Sequence, residues 1–156
     1  MPVVSLASLS DEPPLVGFAS SPSHSTYVAI IEAGRFSVSW LDTDHAKAVI
    51  RLGTETGLRK RDKLGDVGLH HRRGRALGVP LIDEASATLE CRLESSKKVG
   101  DHRLVVGRVE RAEAIEDFCD YWAFDEYRPI LYEGLERPVG SLAPPRSVTR
   151  PSSTAR

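Results

Sequence analysis

The sequence predicts a mainly β domain with two or three short helices, on three observations. Apolar and polar or small residues alternate with a period of two over Val3 to Leu9 and Glu84 to Glu94, the pattern of half-buried strands, and His102 to Ala114, carrying Leu104, Val106 and Val109, reads as the strand that pairs with the second. Turn chemistry separates such runs, above all in Asp11-Glu12-Pro13-Pro14, where proline presets φ and pushes the preceding residue out of the helical region. Helical signals are confined to short stretches that end at Gly34 and Gly53 or fall within Ile115 to Ala123.

The chain has 156 residues, enough for one domain that buries roughly two-thirds of the surface its unfolded form exposes. A formal charge of −1 and a pI near 6.5 give no global electrostatic case for nucleic acid or an anionic membrane, so partners must be argued from sites. No apolar run approaches a membrane span, and no basic segment leads into an apolar core at the N-terminus; the expected location is the cytoplasm. Cys91 and Cys119 have no metal-like spacing and read as buried small hydrophobes of a reducing compartment. No HExxH, CxxC or nucleophile elbow occurs, and Gly65-Asp66-Val67-Gly68 lacks the flanking strand and helix of a dinucleotide fingerprint.

In chain order, Val3 to Leu9 and Leu15 to Ala19 are the first two strands. Ser20-Ser21-Pro22-Ser23-His24-Ser25-Thr26 then precedes the apolar run from Tyr27, which places a helix N-terminus there with Ser23 or Ser25 as cap and Gly34 as the left-handed residue that ends it. Unpaired N–H groups and a partial positive charge at such a terminus, surrounded by hydroxyls and an imidazole, make a cradle for a phosphate; the competing reading is capping for conformational reasons alone. Arg35 to Leu41 is a strand, and Asp42 or Thr43 caps a helix from Asp44 to Leu52 that Gly53 closes. From Thr54 to Val79 nothing is periodic, and a loop is expected that carries Arg59, Lys60, Arg61, Lys63, Arg72, Arg73 and Arg75. It reads as a solvated insertion, or as a nucleic-acid arm, against which stands its lack of any aromatic for base stacking. Glu84 to Glu94 puts Ala85, Ala87, Leu89, Cys91 and Leu93 on one face and polar residues on the other; Ser95 to Gly100 is then the turn into His102 to Ala114. Gly107 inside that strand marks a bulge or a close backbone approach. Pro129 to Tyr132 is a last strand, and from Pro138 the Pro, Ser and Arg-rich tail is expected to be disordered.

Several of these segments together resemble a known family. Pro2-Val3-Val4-Ser5, Asp11-Glu12-Pro13-Pro14-Leu15-Val16, Ser21-Pro22-Ser23-His24-Ser25-Thr26-Tyr27, Gly34-Arg35-Phe36-Ser37-Val38-Ser39, Gly78-Val79-Pro80-Leu81, Gly100-Asp101-His102 with Val105-Val106-Gly107-Arg108-Val109, and Arg128-Pro129-Ile130-Leu131-Tyr132 occur in the order found in the flavin reductase family of FMN-binding split barrels, in its flavoredoxin-like branch. The resemblance implies a split β-barrel with Greek-key connections over residues 1–137, followed by the tail 138–156. Relatives begin with a further strand and hairpin, so the resemblance also implies an open sheet edge beside Val3 to Leu9.

What the resemblance implies for function is NAD(P)H-dependent reduction of flavin by a homodimer, the reduced flavin serving an oxygenase or other acceptor. FMN is the implied flavin with FAD as the alternative, and NADH or NADPH the cosubstrate. By position, Ser5, Leu6 and Ala7 face the isoalloxazine ring, while Ser21, Ser23, His24 and Thr26 hold the phosphate. Lys63, where relatives have a Lys-Phe pair, adds a cation from a rim formed by the basic loop. Asp101 and His102 lie at the flavin edge, His102 positioning flavin or nicotinamide. The rivals are an FMN- or haem-binding electron carrier without enzymatic activity, a degenerate homologue that binds nothing, and a nucleic-acid-binding barrel.

Overall fold

The computed structural model describes residues 1–3, 6–54 and 62–115. Its main sheet is antiparallel, with strands β1 (Leu6–Ser10), β2 (Leu15–Ser20), β3 (Arg35–Trp40), β6 (Ala87–Val99) and β7 (His102–Ala114) in the order β1-β2-β7-β6-β3. Helix α1 (Ser25–Ala33) links β2 to β3, and helix α2 (Ala46–Thr54) follows a 3₁₀ turn at Thr43–His45. A two-stranded ribbon of β4 (His71–Arg73) and β5 (Pro80–Ile82) packs beside β3, where the Ser37 hydroxyl donates to the Pro80 carbonyl at 2.6 Å. The domain is mainly β, as the alternation predicts, and among the described residues the sheet is not closed: β1 and β3 are its edges.

The expected turn at Asp11–Pro14 forms and joins β1 to β2 with Leu6 opposite Phe18 and Ala7 opposite Gly17. Gly34 ends α1 with φ 63 and donates to the Ile30 carbonyl, the left-handed cap that a residue without Cβ adopts without strain. The core under the sheet gathers Phe18, Ile30, Phe36, Cys91 and Val105, with the two phenylalanines edge to face at 5.6 Å. Burying each ring contributes roughly 2 to 3 kcal/mol. Gly107 is a close approach: a Cβ there would run into the Phe36 ring. Leu41, Leu52 and Leu69 form a second cluster beneath α2.

Five local expectations are corrected. No side chain caps α1, whose N-cap is His24 in extended conformation rather than Ser23 or Ser25. Asp42 does cap, accepting from the Asp44 N–H at 3.0 Å, but it caps the 3₁₀ turn, and α2 runs through Gly53 to Thr54. The part of 54–79 that is described is not an aperiodic loop, since it contains a 3₁₀ turn at Gly65–Val67 and β4. The segment Ser95 to Val99 is strand, not turn, and the reversal is only Gly100-Asp101, with Val99 opposite His102 and Gly100 at φ 59. Lastly, the polar face of β6 is not open to solvent throughout: Glu90 is 1% exposed, because the turn between β4 and β5 lies over it and donates the Ala76 and Leu77 N–H groups to its carboxylate. Burial pushes the Cys91 thiol up to about 12, so it is inert as a nucleophile. Cys119, the helix at Ile115 to Ala123, the strand at Pro129 to Tyr132 and the tail lie outside the described residues beyond Ile115.

Candidate functional site

Strand register assembles the candidate site. In the β2–β7 ladder Ala19 faces Leu104 and Ser20 faces Arg103, so the loop leaving β2 emerges beside the residues entering β7. That loop is the Ser20–Thr26 stretch, and the entry to β7 is the Gly100-Asp101-His102 turn. Between them lies an open cleft of about 570 Å³ lined by Pro22, Tyr27, Lys98, Gly100, Asp101, His102 and Arg103.

On the loop side, Ser21 and Ser23 are bonded hydroxyl to hydroxyl at 2.8 Å, and the Ser23 N–H donates to the Ser21 hydroxyl at 3.3 Å. The His24 N–H donates to the Ser21 carbonyl, folding the loop into a turn that delivers the chain into α1. Ser25 and Thr26 form the first turn of that helix, whose N-terminal donors no side chain caps. Ser20 is 2% exposed; its hydroxyl donates to the Ser21 carbonyl and to Met1 Sδ and lies 3.5 Å from His24 Nδ1.

On the turn side, His102 Nδ1 lies 2.8 Å from Asp101 Oδ1, and that hydrogen bond holds the Asp101 carboxyl below its usual range. Arg103 donates through Nε to the Ser96 hydroxyl at 3.3 Å and through Nη2 to the Ser96 carbonyl at 3.0 Å. The Tyr27 hydroxyl meets the same Ser96 hydroxyl at 3.1 Å, so one serine ties α1 to the tip of the β6–β7 hairpin.

Ser21, Ser23, His24 and Thr26 are not among the residues lining the cleft, to which their loop contributes Pro22, and the remaining candidates sit elsewhere. Leu6 and Ala7 are on β1, one strand beyond β2 and outside the cleft lining; Ser5 lies outside the described residues. Lys63 donates to the Leu52 carbonyl at 2.8 Å at the end of α2. It also acts on the Met1 amine, whose pKa is lowered by burial and then by the Lys63 charge, and Met1 in turn touches Ser20. Tyr27, Lys98 and Arg103 are cleft residues that sequence reasoning did not select as site residues, and Ser96 joins Tyr27 to Arg103 beside them; strand register, with Lys98 opposite Arg103, is what brings them together.

The residues present fit a phosphate-bearing flavin. The loop combines two exposed hydroxyls with an uncapped helix N-terminus, a set of donors with no competing carboxylate among its side chains.

A family model described as "Flavin reductase like domain" matches residues 1–131. Two curated relatives are similar: "FMN reductase (NADH) SmoA" of Agrobacterium fabrum, 37% identical over 72% of this chain and 60% of its own length, and the "4-nitrophenol 4-monooxygenase/4-nitrocatechol 2-monooxygenase, reductase component" of Rhodococcus opacus, 32% identical over 72% of this chain and 56% of its own. The chain spans about half the length of the curated relatives it matches. Among solved structures it is similar to an FMN-binding protein from Thermus thermophilus with bound p-hydroxybenzaldehyde, at 30% identity and a TM-score of 0.77, covering 94% of this chain and 79% of that one. The split-barrel expectation holds in that likeness, and the ordered motifs, the fold and the match over residues 1–131 together make the chain a member of the flavin reductase like domain family.

Proposed function

We propose that this chain binds FMN, with FAD as the alternative flavin, and reduces it with NADH or NADPH as a cytoplasmic homodimer, releasing reduced flavin to an oxygenase or another electron acceptor. Residues 1–137 form the flavin-binding unit in this reading and 138–156 a tail outside it. The observation that supports it is that Pro22, from the loop that carries the hydroxyls, lines one cleft with Asp101 and His102. The relatives support it, one bearing the name of an FMN reductase (NADH) and another that of a monooxygenase reductase component.

Flavin, when bound, supplies the hydride-accepting chemistry, so the protein needs no nucleophile and contributes binding and orientation. Ser21, Ser23 and Thr26, with the N–H groups opening α1, hold the phosphate; His24 adds an imidazole, and Lys63 adds long-range attraction. Ser5, Leu6 and Ala7 line the ring side in this reading. Asp101 orients the His102 ring through the 2.8 Å contact, and His102 positions flavin and nicotinamide against each other.

Purified protein titrated with FMN and FAD, followed by NADH and NADPH oxidation, tests the proposal. Flavin binding with turnover supports it. Flavin binding without turnover leaves the electron-carrier reading in its place, and absence of flavin binding overturns the reductase and the flavin-carrier readings alike.

A further inference from the structure

Along the β6–β7 hairpin, Arg92 and Arg108 face one another across the strands, and there a carboxylate answers each of them. Arg92 Nε lies 3.0 Å from Glu110, and Arg108 Nη2 lies 3.0 Å from Glu94. At the tip the rule breaks. Lys98 stands directly opposite Arg103, two like charges in one cross-strand pair, an arrangement that costs stability unless something of opposite charge joins it. Lys98 has no acidic partner among the described residues, and the Arg103 bonds go to the neutral Ser96. Both side chains line the cleft, and its one carboxylate, Asp101, is engaged by His102.

We propose that Lys98 and Arg103 form an anion subsite for a phosphate group of the nicotinamide dinucleotide, an assignment that rests on the flavin reductase reading above. Arg103, fixed by Ser96 on two sides, presents a preorganised guanidinium, and Lys98 supplies a movable charge from the facing strand. The phosphate relieves the repulsion between them, so the pair acts on cosubstrate affinity and not on the flavin or on the chemical step.

The test uses the full chain with Lys98→Ala and Lys98→Glu. At low salt KM for the nicotinamide dinucleotide should rise about threefold and about tenfold respectively, with kcat and the FMN dissociation constant unchanged, and the effect should fade at high salt. A larger rise for NADPH than for NADH assigns the 2′-phosphate, and equal rises assign the pyrophosphate; both support the subsite. Calorimetry with ADP as the probe, against adenosine as control, gives a readout free of turnover. ADP binding that Lys98→Glu abolishes, in a protein that oxidises neither nucleotide, supports the subsite while the reductase reading fails. Turnover with an unchanged KM in Lys98→Glu, or a loss of FMN affinity in its place, overturns the subsite while leaving the reductase reading standing.

Discussion

The carboxylate of Glu90 accepts the Leu77 N–H at 2.7 Å and the Ala76 N–H at 3.1 and 3.2 Å, and Gly74 leaves the space it occupies: a Cβ on Gly74 would collide with it. One side chain in the centre of β6 therefore holds the turn between β4 and β5, in a setting where Glu90 is 1% exposed and Leu77 is buried. Among the described residues no other side chain bonds those donors.

Replacing Glu90 by Ala should cost about 3 kcal/mol, because it leaves buried N–H groups without an acceptor and opens a void. Glu90→Gln keeps one acceptor oxygen and should cost less. Urea unfolding measures both as shifts of the midpoint. Equal midpoints for wild type and Glu90→Ala would refute the clamp.

Gly107→Ala should destabilise by about 2 kcal/mol through overpacking, since its Cβ would meet the Phe36 ring and lie 3.0 Å from the Cys91 Cβ. Gly78→Ala, where φ is 66 and nothing lies within 4 Å, should cost about 1 kcal/mol by backbone strain alone. Adding Phe36→Leu should recover part of the loss at Gly107 and none of that at Gly78, a coupling that a double-mutant cycle reads directly.

Ser21→Ala and Thr26→Ala should each weaken FMN binding by about 1 kcal/mol at low and high salt alike. Lys63→Ala should matter at low salt only, as an attraction acting through distance. His102→Ala should lower the nicotinamide oxidation rate more than it lowers FMN affinity. Flavin titrations at two ionic strengths, paired with turnover, check all four; FMN affinity untouched in both hydroxyl variants would remove the phosphate from this loop.

Glu84 carries a pH prediction. Burial pushes its pKa up, but the His70 backbone N–H, at 3.0 Å, and the His70 ring, at 2.7 Å, outweigh this and leave it below the ordinary 4.5. A carboxyl depressed in the folded state contributes stability in full above its ordinary value, and loses it as pH falls through the folded one. With the His70 side chain 84% exposed, the ionic part is screened and the backbone bond dominates. Glu84→Gln should therefore cost about 1 kcal/mol at neutral pH, with the gap to wild type narrowing in acid. A gap that stays constant into strong acid would contradict the assignment.

The start of β7 was legible because a tight Gly-Asp turn precedes the apolar run Leu104-Val105-Val106. The last residues of β6 were not, since Ser95-Ser96-Lys97-Lys98 carries no apolar beat and becomes strand only by pairing with β7. The burial of Glu90 was missed for a related reason: a strict period of two puts a glutamate on the face away from the core, and no local signal announces the β4–β5 turn that covers it. β4 has three exposed residues, and its strand character comes from Pro80–Ile82 across from it. Of the candidate site, Ser21 and the Asp101-His102 pair were readable as motifs. Lys98, Arg103 and Tyr27 were not, because their common cleft exists only through strand register.

That register sets an order of events during synthesis. The hydroxyl loop leaves the ribosome in the first sixth of the chain, yet its neighbour in the sheet is β7, and Ser20 waits for Arg103 while α1, β3, α2 and the ribbon are made. A nascent chain without β7 has no cleft to fill, whatever ligand the cell holds. A ligand of that cleft can stabilise this protein only after these long-range contacts have closed, so the flavin of the proposed function would act as a reward for completed folding and not as a scaffold for it.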